Sequence, residues 1–331
     1  MTDGRVSTAL PGRGRRMLAD RRWLYVLPLL ALAIPFFVND YIQYIVNLTL
    51  IYILVGVGFN VLIGNLGQLA FANAAFFGLG AYTTGILMYH LNLPFWLALL
   101  PGGIVAAIAG AIISLPALRG IRLFYLAIVT LAFGELLRWT YIHVESLTLG
   151  SMGLHVPRPS VFGYDLTSEA GKFVVFLVVV VVALQATANL LRSRVGRAFM
   201  AIKNNEHAAA SVGVPTSLYF VLAFAWSGLV VGLGGGLYAA HVRLVAPEAF
   251  NLMALIMHFA IVMVGGLGNL AGGVIGAIIV TGTPELVRAW PGMLELFLAI
   301  PIIVILMFLP KGLVSLLCRP LPMLQESYHR P

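Results

Sequence analysis

Glu135 and Arg138 stand three residues apart inside the run LFYLAIVTLAFGELLR, residues 123–138. On a helix that spacing puts a carboxylate and a guanidinium on one face, within pairing distance. Ionisable side chains inside an apolar run are costly and mark functional candidates. Both fall toward the outer end of their run, where a structural pair can reach the interface cheaply, so this intramembrane pair suits either role. His258 also interrupts an apolar stretch, and hydrogen-bonded packing is its expected role rather than proton relay. A second polar group is uncharged. Asn65, Gln68, Asn73 and Thr83 lie in GNLGQLAFANAAFFGLGAYTTGILMYH (64–90), and Gly265, Gly268 and Asn269 lie in GGLGNLA (265–271). Amides, open backbone and glycine gaps among Leu and Phe would serve a zwitterion with an apolar side chain, as the lining of a path. Interhelical hydrogen bonding would use the same residues.

Other chemistry is missing from the sequence. There is no H-E-x-x-H, no G-x-S-x-G and no G-x-x-x-x-G-K-[ST], so an intramembrane hydrolase or a nucleotide-hydrolysing chain is not expected. The one cysteine, Cys318, excludes an intrachain disulfide and a thiolate metal cluster. The net charge of +8 is no nucleic-acid signal, because the bases sit in tails and short loops.

The elements that must carry these residues are helices that cross a bilayer. The chain is 60% hydrophobic and 10% charged, and several runs approach the ~20 apolar residues that span a membrane. Nothing alternates as barrel strands do. The expected fold is all-α, a polytopic transmembrane bundle of 9–10 spans with broken or re-entrant helices. A basic cytoplasmic tail (1–22) is followed by an uncleaved span over Trp23–Val38. Further spans are expected over Tyr41–Ile63, within 64–90, and over Pro94–Leu118, Leu123–Ile142, Lys172–Leu191 and Ser217–Ala240. Residues 250–283 form one or two segments broken at GGLGN. A last span covers Gly292–Leu309, closing a membrane domain over 23–310 ahead of a C-terminal tail, 311–331. The bases of the first tail, Arg119–Arg122 and Arg192–Lys203 then share the inner side, and the loop 143–171 is external. Two segments in 250–283 give ten spans and an inner C-terminus, which this pattern favours. Glu248, Glu285, Arg288 and Glu295 are expected at the outer surface or an interface.

Small residues recur at steps of four: Gly102, Ala106, Gly110 and Ser114; Gly228, Gly232, Gly236 and Ala240; Gly268, Gly272 and Gly276. Such rows let helices approach closely in lipid, within the chain or between subunits. GNLGQLA (64–70) also reappears as GGLGNLA (265–271); paired Gly-interrupted segments point to a substrate path, and chance self-matching of Gly-rich membrane sequence is the alternative.

One polar stretch stands between two apolar runs: GRAFMAIKNNEHAAASVGVP, residues 196–215. Its pattern predicts two short helices, one ending near Lys203 and a second capped by Asn205 and stopped by Gly213 and Pro215. Helices this short need a surface to pack on. The stretch AIKNNEHAAASVG resembles the coupling segment of ABC-importer membrane subunits, with His207 splitting Glu206 from Ala208 and Ala209. That spaced form, GNLGQLAFANAAFFGLGAYT (64–83), LFYLAIVTLAFGELLR (123–138) and GGLGNLAGGVIGA (265–277) together resemble the branched-chain amino acid importer permeases over most of residues 41–310.

The resemblance implies the rest of an assembly. Segment 192–216 would meet a cytoplasmic ATPase through Arg197, Lys203, Asn205, Glu206, Ala208, Ala209 and Gly213. Two ATPase subunits would hold ATP and magnesium, with no cofactor on this chain. A second homologous permease, a periplasmic substrate-binding protein, lipid and an amino-acid substrate complete the partners, and no nucleic acid is among them. The setting would be a bacterial cytoplasmic membrane. Urea, short amides or other amino acids are alternative cargoes. A stand-alone secondary transporter or channel is the alternative of another class.

Overall fold

The computed structural model describes residues 38–118, 120, 124–161 and 163–287, with isolated positions at 32, 35, 307 and 312–314. Apart from those positions, the expected first and last spans, both tails, Arg119, Arg122, Arg288, Glu295 and Cys318 lie outside the described residues.

The described chain is helical in nearly all of its regular structure. Helix α1 (Asp40–Asn60) runs on through a π-helical turn, Val61–Leu66, and stops at Gly67, whose φ of +79° a side-chain-bearing residue rarely adopts. Then come α2 (Asn73–His90), α3 (Phe95–Ile113), the short α4 (Leu115–Leu118) and α5 (Phe124–His143). A loop holding α6 (Glu145–Thr148) and the strands β1 (Leu154–His155), β2 (Ser160–Val161) and β3 (Tyr164–Asp165) leads to α7 (Glu169–Arg192). Two amphiphilic helices, α8 (Arg194–Asn204) and α9 (Glu206–Ser211), precede α10 (Thr216–Val242). After β4 (Leu244–Val245), which pairs antiparallel with β1, the chain closes with α11 (Leu252–Gly265) and α12 (Leu270–Val287). Four of these segments are long and apolar enough to cross a membrane: Asp40–Leu66, Phe95–Leu118, Glu169–Arg192 and Thr216–Val242.

The glycine rows hold the bundle together from inside. Helices α3 and α10 run antiparallel, and a Cβ on Gly228 or Gly110 would collide with the carbonyl of Ala106 or Phe224. Helix α2 lies in the same seam, where a Cβ on Gly80 would strike the Gly232 carbonyl. On the other side of α10, α1 approaches so closely that a Cβ on Gly58 would sit 3.2 Å from the Ser227 carbonyl. Removing every side-chain atom from the contact lets dispersion act between backbones, the force left when lipid offers no hydrophobic drive. Between the two roles open to these rows, internal packing is the one seen among the described residues.

Residues 250–283 form two helices. α11 and α12 make an antiparallel hairpin in which Gly276 lies against the Ile261 carbonyl and Gly265 against that of Gly272. With 14 residues, α11 is about 21 Å long and shorter than a ~30 Å hydrocarbon core. The expected 64–90 segment begins its helix only at Asn73, since 67–72 is irregular.

Candidate functional site

The end of the bundle at which α7 runs into α8 and α9 is the expected coupling end; the loop 143–171 marks the far end. Ser193 caps α8 by accepting from the Val195 N–H at 3.1 Å, so α8 starts at Arg194, two residues ahead of the polar stretch 196–215. Asn205 caps α9 by accepting from the Ala208 N–H at 3.0 Å, and Gly213 follows α9 at φ +85°, both as the sequence predicts. Phe199, Ile202 and Ala209 are buried and anchor the pair to the bundle, with Phe199 edge-on to Tyr219. Arg197, His207, Ala208, Ala210 and Val212 point away. Val212 is 79% exposed, an apolar knob at the tip that motif reasoning passed over because a lone valine carries no pattern.

Lys203 turns the other way. Its ammonium donates to the Gly64 carbonyl at 2.5 Å, and its stem lies against Gly67. Gly64 belongs to the last turn of the α1 extension, where carbonyls lack intrahelical partners and the helix end favours a cation. Partial burial of the ammonium holds its pKa below the usual lysine range.

Behind Gly64 the two glycine motifs dock on each other. A Cβ on Gly64 would collide with the backbone of Gly268. Asn60 bridges them: its Nδ2 donates to the Asn269 carbonyl at 2.8 Å and the Gly266 carbonyl at 3.3 Å, and its Oδ1 accepts from the Gly268 N–H at 2.7 Å. Asn65 donates to the Gly268 carbonyl at 3.4 Å, and Asn269 accepts from the Ala271 N–H at 2.9 Å. Asn65, Gln68 and Asn269 are buried, as is Gly265. The expected path residues thus divide: Asn65, Gly265, Gly268 and Asn269 are brought into one knot with Gln68 beside them, and Asn73 and Thr83 stand elsewhere. Asn60, which the sequence reading left out, is its central link. A single amide closing an apolar run four residues before Gly64 was the available signal.

Asn73 is buried and pairs with Nδ1 of His258 at 3.2 Å, which gives His258 the hydrogen-bonded packing role expected of it. Thr83 is half-buried; its neighbour Thr84 is the fully buried one, donating to the Ala98 carbonyl at 3.4 Å.

Glu135 and Arg138 do pair, Nε to Oε2 at 3.0 Å. Neighbouring helices fix the level of the pair in the bundle. α5 runs alongside α2 in the same direction, with the Phe71 N–H on the Thr130 hydroxyl at 2.8 Å and Tyr82 stacked on Tyr141 at 4.1 Å. The pair lies between those levels, beside the stretch of α2 whose Gly80 abuts Gly232. Gly232 is three residues past the centre of α10, so the pair stands within roughly 5–8 Å of the bundle's middle. Within α5 itself both residues stand past the helix midpoint, toward the His143 end. Both side chains open to the outside of the chain, Arg138 by 38% and Glu135 by 49%. An Arg at the centre of a lipid-facing helix costs about 2.5–3.5 kcal/mol on insertion scales.

At the far end, Glu169 collects Asn47 at 2.9 Å and Lys172 at 2.7 Å, with His241 at 3.7 Å stacked on Tyr44. A cavity of about 170 Å³ opens beside Lys172, bordered by Arg158, Thr167 and Arg243. The sequence reading did not single out this cluster, although an acid and a base three apart at a span's start signal it.

A multi-pass bundle of glycine-seamed helices, two broken segments tied end to end, and an amphiphilic helix pair projecting from one end define a membrane transport subunit. A family model described as the branched-chain amino acid transport system permease component matches residues 41–309. The high-affinity branched-chain amino acid transport system permease protein LivM of Escherichia coli (strain K12) is 32% identical, over 93% of this chain and 78% of its own. Its Salmonella typhimurium counterpart is 31% identical over the same shares. LivH of Salmonella typhimurium, a permease protein of the same named system, is 25% identical over 69% of this chain and 79% of its own. The chain belongs to the permease-component family of branched-chain amino acid transport systems.

Proposed function

We propose that this chain is one of two different permease subunits of an ATP-driven importer, and that branched-chain amino acids are its cargo. The observation that carries the reading is the capped pair α8–α9, bolted to the bundle by Phe199, Ile202 and Ala209 while its other face stays open. That is the form of a segment built to be gripped. ATP and magnesium are held by two partner ATPase subunits at the coupling end, against Arg197, Glu206, Ala208 and Val212. The bundle lies in a bacterial cytoplasmic membrane, with the coupling end and N-terminus inside.

Motion passes inward by contact. Lys203 ties α8 to the α1 extension at Gly64, and Asn60 ties that extension to the turn Gly266–Asn269. Drawing α8 outward pulls on both broken ends together. The knot is the inner closure of the path in this reading, because its bonds join backbone segments whose helical hydrogen bonding has already ended. The basic cavity at Arg158, Lys172 and Arg243 receives acidic groups of a binding protein at the far end.

Purifying the assembled complex through a tag on this chain tests the proposal. Two ATPase subunits and a second permease are expected to follow it, with uptake dependent on ATP. A chain that purifies alone and transports by itself overturns the reading. Ligand titration of the binding partner then separates branched-chain amino acids from urea or short amides.

A further inference from the structure

The Glu135–Arg138 pair presents a physical conflict. Among the described residues, these are the charged side chains that stand both in the middle of the bundle and open to its outside. Glu169 and Lys172 begin α7 at the far end, and His241 and His258 are buried. A carboxylate and a guanidinium facing hydrocarbon would lose their hydration with only each other as compensation. Each is the other's partner among the described residues. The face of α5 that carries them is therefore not a lipid face.

The same face states what it could take. Glu135 offers carboxylate oxygens, and Arg138 offers a planar fork of donors suited to a carboxylate. The two heads lie 3.0 Å apart. A free α-amino acid carries an ammonium and a carboxylate on one carbon, the inverse of this arrangement. Either head can trade its partner for the substrate's at little electrostatic cost, so the contact is made and released readily, as passage demands. Along the same stripe, Ile128, Leu136 and Trp139 are 49%, 59% and 56% exposed. They supply apolar surface for a hydrocarbon side chain beside the charged heads.

We infer that the exposed face of α5 lines the water-filled route through the transporter and that Glu135 and Arg138 form a transit site for a zwitterionic amino acid, ammonium to Glu135 and carboxylate to Arg138. The inference rests on the importer reading and deepens it. The amides of the knot then act at the closure and the ion pair acts in the route.

The test uses the complete transporter, with this chain, the second permease, ATPases and binding protein reconstituted in liposomes and supplied with labelled leucine. Glu135→Leu combined with Arg138→Leu is expected to leave subunit co-purification and the binding protein's leucine affinity unchanged and to cut uptake by about tenfold or more. Normal uptake by that variant overturns the inference, since a lipid-facing or idle pair would be dispensable. Loss of the second permease from the complex also overturns it, because the pair then belongs to a subunit interface. An independent reading needs no transport. Ala132→Cys, with Cys318→Ser, places a thiol on the exposed face, and a charged, membrane-impermeant thiol reagent is expected to label it in the assembled complex. An unreactive thiol there overturns the water-filled route. If the unaltered chain fails to bring down ATPases, the importer reading has failed instead.

Discussion

Two parts of this bundle are made of glycine and behave differently. In the α2–α3–α10 seam, Gly80, Gly110, Gly228 and Gly232 sit inside helices that continue on both sides of them. Glycine there only removes bulk. In the knot, Gly67, Gly266 and Gly268 take φ of +79°, +128° and +78°, and Asn60 and Asn65 supply the bonds that the broken helices lack. The seam is held by close contact over a long surface and has one good geometry. The knot is held by a few bonds between ends, and those can be exchanged. The contrast teaches that a glycine row lets helices close on each other where its helix continues, and lets backbone ends be bonded across by side-chain amides where its helix stops.

Four substitutions would break or sharpen that contrast. Gly228→Leu forces a branched side chain against the Ala106 backbone and is expected to cost about 3 kcal/mol or more, with little monodisperse protein after detergent extraction. Normal yield and melting would show the seam to be looser than described. Asn60→Leu keeps the volume but strands the Gly268 N–H, at about 1–3 kcal/mol; the protein should insert and assemble while uptake fails. Equal loss of assembly and uptake would make the knot scaffold as well. Lys203→Met keeps the stem on Gly67 and removes the bond to Gly64, with about 1 kcal/mol of stability at stake. ATPase subunits should still co-purify and still hydrolyse ATP, while leucine moved per ATP falls. An unchanged ratio would detach Lys203 from the relay. Val212→Ser, at a position 79% exposed, should leave melting within about 0.5 kcal/mol and weaken ATPase co-purification alone. Unchanged co-purification would move the contact away from the tip.

Much of this was legible beforehand because membrane sequences are strongly constrained. The spans, the glycine rows and the double cap of α9 follow from local rules of length, size and hydrogen bonding. So does a break in this region, although the helix runs on to Leu66 and stops at Gly67, past the expected end at Ile63. The likeness of 64–70 and 265–271 was visible; that they touch was not. The coupling residues were read as one patch, but Lys203 and Ala209 face the bundle while Arg197 and Ala208 face outward. Asn60, Val212 and the Glu169 cluster carry no recurring spacing, and residues that act through distant partners leave little local trace.

By itself, then, the sequence determined that this chain crosses a membrane as helices, where two of them break, and which segment projects from the bundle. Those properties depend on neighbours a few residues away, through helix periodicity, caps and apolar length. The tertiary structure decided that Asn60 joins the two breaks, that Lys203 serves the inside, and that Glu135 and Arg138 stand open at mid-depth. Those facts depend on which helix lies beside which, and at what level, and such relations arise only when residues far apart in the chain are packed together.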